Sequence, residues 1–457
     1  MKTISRYLLI LLSPLFFTAL HAQDGDAVLN KVIHEYTLHN DGSYDYRDYK
    51  EVKLLSHMSF HRLFGETFII FDPAYQEIVI NEAYTIMKDG KKVAVPDNAF
   101  NEVLPRAAAN AAAYNRLREL VITHTGLEVG ATIYLDYTLK TKAGYMPVFM
   151  GEELISDIVP VMDKQVVIRI PQGLEFHYKM LNLRTAPEVS DEDNYKVYSF
   201  VFSGLKANPE EWGTDPLLLP RLFFSTAKDL ERAYFPFVAQ DAFTFRVDPA
   251  MAAIVEKVKE EQKDDLSVAL ALQEIVVNDI NTWNLSPEYT GFRCRPPAVV
   301  LQSNGGTKLE KSILLATLMQ HAGLSGVPVA VIPGKYYDRE VGSLYMFRDF
   351  VVMAKVGMGE RMFFSPVRGQ DQNLSYSLQG NKLLILDGAI ESLRTFEPEA
   401  DPAGIDYRGT LTIDESGHMT GKLDVVLLNA ANPYFRLYSD TAYAKRYASG
   451  AKEVELL

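Results

Sequence analysis

Gly306-Thr307-Lys308-Leu309-Glu310-Lys311-Ser312-Ile313-Leu314-Leu315-Ala316-Thr317-Leu318-Met319-Gln320-His321-Ala322-Gly323-Leu324 is the stretch on which the reading of this chain turns. Thr307 with Glu310 three residues later is a capping box, in which a hydroxyl and a carboxylate satisfy amide groups that a helix start leaves open. An apolar run follows and gives way to Ala322-Gly323, so the stretch predicts a helix. His321 falls in its last turn, where the helix dipole favours a histidine.

The neighbouring segments read outward from that helix. Asp248-Pro249 is a capping residue followed by proline, and Ile254, Val255 and Val258 continue at helical spacing. A second helix is predicted from Leu266 to Trp283, with Ala269, Leu272, Val276, Ile280 and Trp283 on one face. After a loop over Asn284 to Asn304 and the quoted helix, strands are expected at Val327–Ile332, Phe350–Val356, Met362–Phe364 and Leu383–Leu386. Helices followed by antiparallel strands mark an α+β domain over residues 245–390.

From about Asp24 to Phe235 the pattern is strand-like. β-branched and aromatic runs such as Ile78-Val79-Ile80 and Val166-Val167-Ile168-Arg169-Ile170 are bounded by turn signals such as Asp89-Gly90 and Gly130. An Ala-rich piece, Ala107 to Leu117, is the main helical interruption. Strands at this spacing predict an antiparallel β-sandwich over residues 23–240. Beyond a Glu/Pro linker at Glu397–Pro402, a hairpin alternates through Leu411 and Ile413, turns at Ser416-Gly417 and returns through Leu423, Val425 and Leu427. It is read as the start of a C-terminal β domain within 400–457, with the last 25 or so residues helical or irregular. The fold class is therefore α+β multidomain.

Composition bounds the function classes. At 457 residues, a prior of roughly 150 per domain suggests about three domains. Lys2 and Arg6, then an apolar run from Tyr7 to Leu20 and small residues to Ala22, predict an export signal over 1–22, too short to span a bilayer as a mature helix. Export to the periplasm or cell exterior of a bacterium follows. No later stretch has the length of a membrane span. Losing those two cations lowers the formal net charge from −13 to −15, which argues against nucleic acid or anionic lipid as partner. The single cysteine, Cys294, has no intramolecular disulfide partner, so stability rests on large cores.

Residues 306–324 resemble the motif of transglutaminase-like, papain-like domains, Gly-Asp-Cys-Lys-Asp followed by an apolar helix ending Ala-Ala-Gly-Ile. Phe347-Arg348-Asp349-Phe350 resembles that family's Phe-Asn-His strand, and Phe363-Phe364-Ser365-Pro366 its Phe-Leu-Asp-Pro strand. Their order and spacing match from about Asp248 to Gly388. Residues 24–235 resemble the domain of unknown function common before such domains in secreted bacterial proteins, chiefly at Gly130, Pro160 and Ile170-Pro171. The resemblance implies a central papain-like fold whose chemistry uses a thiolate, an imidazole and an orienting carboxylate. At those positions this chain has Lys308, Asp349 and Ser365, so no member of the triad survives. Loss of catalysis is the expectation, with no metal or other cofactor. A groove around Lys308, Asp349, Trp283 and Arg348 is then expected to bind a peptide, glycan or protein partner.

Two geometries are open for Lys308: a salt bridge of reversed polarity to Asp349, or a side chain extended into solvent. Two rival functions also stand. One is amide hydrolysis or acyl transfer through Cys294, with Arg293 and Arg295 lowering its pKa; the bland alternative is an inert thiol near the core, as no histidine stands at a matching position. The other is a structural spacer. His57/His61 and His34/His39 are close enough in sequence to suggest metal, but their surroundings read as strand or loop and no further ligands follow. A Ser365/Lys308 dyad is disfavoured because the family's histidine position intervenes. Asp414-Glu415-Ser416-Gly417 is too short for a calcium loop and reads as a hairpin turn.

Overall fold

The computed structural model describes residues 25–208, 215–357, 360–368, 374, 378–387, 395–396 and 404–428. The expected export signal, the linker at 397–402 and the final segment from 429 lie outside the described residues.

The β-branched runs of the N-terminal half form one eight-stranded sheet. Its order is Glu188–Glu192, Tyr195–Leu205, Val161–Pro171, Ala27–Leu38, Tyr44–Leu54, Thr132–Thr141, Gln76–Ile86 and Lys92–Ala94. Its neighbours pair antiparallel except Ala27–Leu38 with Val161–Pro171, which run parallel (Tyr36 opposite Ile168). The long intervening chain permits that crossover, which a short hairpin does not. Two three-stranded sheets cover this sheet. One contains Met150–Leu154, Arg221–Ser225 and His177–Leu181, and it buries Leu222 and Phe224 against Val166, Ile168 and Phe200. The other contains Glu66–Phe71, Arg118–Thr123 and Phe100–Val103, and it buries Ile69 and Ile122 against Leu135 and Tyr137. Each fully buried aromatic contributes about 1.5–3 kcal/mol.

The Ala-rich piece is not an α-helix. It makes two 3₁₀ turns, Arg106–Ala108 and Ala112–Tyr114. Ala108, Ala111, Tyr114 and Leu117 are buried at every third position, which suits the tighter helix, and they pack on Trp283 and Leu285. His57 and His61 sit in a helical turn (Ser59–Leu63 is π-helical) rather than in strand or loop, on either side of the Phe60 ring and both exposed.

Five α-helices follow among the described residues. α1 (Leu230–Val238) carries Pro236 inside it, yet Asp229 caps it and Leu230, Ala233, Tyr234 and Phe237 are buried at helical spacing. α2 (Pro249–Glu261) starts at Asp248, whose carboxylate accepts from the Met251 amide. α3 (Asp265–Asp279) is capped by Asp264 and ends sooner than its apolar face suggests. Trp283 lies beyond it, after the short strand Asn281–Thr282, because that strand leaves the helix to pair with Gly305–Gly306. α4 (Pro297–Gln302) precedes α5 (Lys308–His321), whose residues Leu309 to Met319 are all buried. A helix apolar or buried all round belongs inside a core. α5 packs on α2, α3, α4 and an antiparallel five-stranded sheet ordered Glu360–Phe364, Asp349–Val356, Val327–Pro333, Asn381–Ile385 and Thr395–Phe396.

The C-terminal hairpin pairs Gly404–Ile413 with Met419–Leu428. Asp414 holds the turn by accepting from the Ser416 and His418 amides, and Gly417 takes the positive φ of 80° that the reversal requires.

Candidate functional site

The capping box forms as its residue types dictate: Thr307 accepts from the Glu310 amide and Glu310 reaches back to the Thr307 amide. It begins where Gly305-Gly306 passes beneath Trp283. A Cβ on Gly305 would sit 2.4 Å from the Trp283 ring, so the close approach needs glycine.

Lys308 is the first residue of α5, and Asp349 opens the adjoining strand opposite Val331. The Lys308 Nζ lies 2.5 Å from Asp349 Oδ1, with side chains 23% and 33% exposed. Of the two geometries open in the sequence, the salt bridge is the one formed. The dipole disfavours a cation here by about 0.3–1 kcal/mol, and a part-exposed pair returns about 0–1 kcal/mol. These nearly cancel. Asp349 also accepts from the Phe350 amide, which fixes its carboxylate at the strand entry.

Ser365 is fully buried at the end of the Glu360–Phe364 strand. Its hydroxyl donates to the Val367 carbonyl, its carbonyl accepts from Gln273, and the sheet register sets Phe364 opposite Val352. Lys308, Asp349 and Ser365 thus come together at the start of α5 and one edge of the five-stranded sheet, and Lys308 is joined to Asp349 by an ion pair.

Two residues into α5, Glu310 is 1% exposed and accepts from five donors: Tyr114 Oη, the Thr307 amide, and the Arg295 amide, Nε and Nη2. Burial opposes the Arg295 charge, but the Glu310 bonds outweigh it and hold the guanidinium above its ordinary pKa. Burial, then the Glu310 carboxylate, push the Tyr114 phenol up. Arg295 also lies 4.6 Å from the Trp283 ring. Trp283 therefore belongs to this buried junction between the Ala-rich turns and α5, not to an open groove beside Lys308. Sequence spacing assigns Glu310 only a capping role; Tyr114 and Arg295 lie 196 and 15 residues away from it. One position on, fully buried Lys311 donates to the Ile280 carbonyl and to Thr282 Oγ1, and burial lowers its pKa to about 8. It closes the C-terminal end of α3, whose last carbonyls have no partner within the helix.

Cys294 is half-buried. Arg293 reaches the Gly144 carbonyl and covers the Tyr75 ring at 3.9 Å, and Arg295 is bound to Glu310. Burial pushes the Cys294 thiol well up, Glu310 adds to this, and Arg295 opposes it. Among the described residues no histidine is hydrogen-bonded to the thiol: His34 binds Glu153, His39 faces Asp45, and His321 ends α5.

Arg348 lines a cleft of 370 Å³ between the Arg221 sheet and the central domain, with Glu152, Arg221, Glu288, Phe292 and Phe347. Its Nη2 lies 2.5 Å from Glu152, which also contacts Arg221. Its Nη1 donates to the Tyr345 carbonyl. The sequence singled out Arg348; it carried no signal for Glu152 or Arg221, which arrive from strands of the other half.

Comparison with known proteins fits this architecture. Residues 40–208 match a domain of unknown function with solved structure, DUF3857. A search of the curated proteins finds no match. Among solved structures, a "putative protease" from Parabacteroides distasonis ATCC 8503 superposes with a TM-score of 0.75 at 30% identity, covering 82% of this chain and 72% of that one. The chain carries a DUF3857 domain. It belongs to the family of that Parabacteroides protein. No helix among the described residues is long and apolar enough to cross a membrane.

Proposed function

We propose that the chain is an exported, non-catalytic protein of the transglutaminase-like superfamily, with residues 245–390 as the degenerate domain, that binds a peptide, glycan or protein partner. The observation that carries the reading is the Lys308–Asp349 ion pair at the positions matched to the nucleophile and its imidazole. A protonated amine bonded to a carboxylate has no free electron pair with which to attack a carbonyl, and it forms no thioester. The intact capping box and buried α5 keep the framework around it.

One observation favours a second reading, that of a peptidase: the description attached to the Parabacteroides relative. In this chain the cysteine available for it is Cys294, whose thiol is held protonated by burial. Incubating the full chain with amide and peptide substrates separates the two. Binding without turnover supports the first reading. Turnover by the wild type that vanishes in Cys294→Ser overturns it.

A further inference from the structure

The cleft lined by Arg348 and Arg221 holds two guanidinium groups over one tyrosine. The Arg348 Cζ lies 4.7 Å and the Arg221 Cζ 5.4 Å from the ring centre of Tyr336, itself buried at 1% exposure. Both arginines contact the single Glu152 carboxylate. Arg348 is fixed further by its bonds to the Tyr345 and Phe347 carbonyls. Arg221 keeps a buried Nε with no hydrogen-bond partner. A buried donor left unpaired is costly, and a guanidinium carries five N–H donors in a planar fork. The two forks share one carboxylate and the Tyr336 phenol, which leaves donors for a second carboxylate.

The cleft also states which anion fits. Glu152 and Glu288 offset the two arginines, so the cleft holds no surplus positive charge for a dianion, whereas a single carboxylate can share the guanidiniums with Glu152. Leu154, Pro287, Phe292 and Phe347 give apolar walls beside the charges. A second cavity of 170 Å³ adjoins it, sharing Glu152, Glu288 and Tyr345 and lined by Tyr36, Tyr46 and Tyr289. A cavity of roughly 150 Å³ accommodates benzene. Aromatic rings around such a space suit another ring at offset or edge-on contact.

We infer that this paired cavity receives the C-terminus of a peptide whose last residue is aromatic. The free carboxylate meets Arg348 and Arg221, and the ring enters the tyrosine-lined space. The inference rests on the reading of the chain as a binder, and it names the ligand class for that cleft.

The test is calorimetric titration of the full chain with N-acetyl-Ala-Ala-Phe as free acid, as C-terminal amide, and with alanine in place of the last residue. The free acid is expected to bind at least tenfold more tightly than the amide and several-fold more tightly than the alanine peptide. Arg348→Gln should remove the preference for the acid. Glu152→Gln, which lifts the competing carboxylate, should tighten acid binding several-fold, a gain that misfolding does not produce. Equal binding of acid and amide, weaker binding by Glu152→Gln, or equal displacement by acetate or inorganic phosphate would overturn the inference while leaving peptide binding standing. If no tripeptide binds, the inference fails alone, and a library of unrelated peptides and glycans decides the broader reading.

Discussion

Two ion pairs lie two residues apart in the first turn of α5, with opposite charges on the helix and opposite exposure to water. Lys308–Asp349 joins side chains about a quarter to a third exposed. Arg295–Glu310 is bidentate, buried at the carboxylate, and shares it with Tyr114 and two backbone amides. Water screens the first and is shut out of the second. The difference teaches where this fold spends its charge. The buried pair, with Tyr114, locks the N-terminal half onto the helix start, while the dipole and screening by water leave the part-exposed pair a net contribution of about 0–1 kcal/mol.

The contrast breaks most readily at its buried side. Arg295→Met strips Glu310 of its guanidinium while keeping apolar bulk, and a buried charge without its partner typically costs about 3–5 kcal/mol. Urea unfolding should show that loss; one below about 1 kcal/mol would mean the junction is idle. Lys311 offers a pH readout on the same turn. Its folded pKa of about 8 lies below the unfolded value, so between about pH 8 and 10 the unfolded chain binds more protons and stability rises with pH. Below pH 8 the full penalty of the buried ammonium is present. The unfolding free energy of the wild type relative to Lys311→Met should rise by roughly 2–3 kcal/mol across that window. A flat difference would mean the amine is solvated.

Smaller effects sharpen the comparison. Tyr114→Phe removes one of five donors to Glu310 and should cost about 1–2 kcal/mol, because four remain. Lys308→Ala should change stability by no more than about 1 kcal/mol, since the lost pair and the relieved dipole offset each other. A loss above about 2 kcal/mol from Lys308→Ala would place that pair in the same class as Arg295–Glu310 and end the contrast.

Much of the helix start was legible because its signals are local. Thr307 and Glu310 are three apart, and Asp248-Pro249 adjoin, so capping geometry follows from sequence spacing. The Lys308–Asp349 contact was open to anticipation only through the family resemblance, which aligned two positions 41 apart. What spacing misread shows the opposite rule. The Leu266–Trp283 run looked like one helix, but pairing of Asn281–Thr282 with Gly305–Gly306 ended it at Asp279. The Ala-rich piece has helical composition, yet burial against Trp283 selected a three-residue period. α1 begins inside the stretch that reads as strand-like up to Phe235, and burial of Leu230, Ala233, Tyr234 and Phe237 on one face makes it a helix.

Residue types within a few positions of one another determined the strands and the helix caps, because those preferences are set by local backbone geometry and bond-forming capacity. Only the tertiary structure decided that Glu310 is a junction, that Trp283 is buried rather than groove-lining, and that Arg221 and Glu152 meet Arg348 across a cleft. Those outcomes depend on which distant side chains exclude water from the same few cubic ångströms, and no local spacing encodes that.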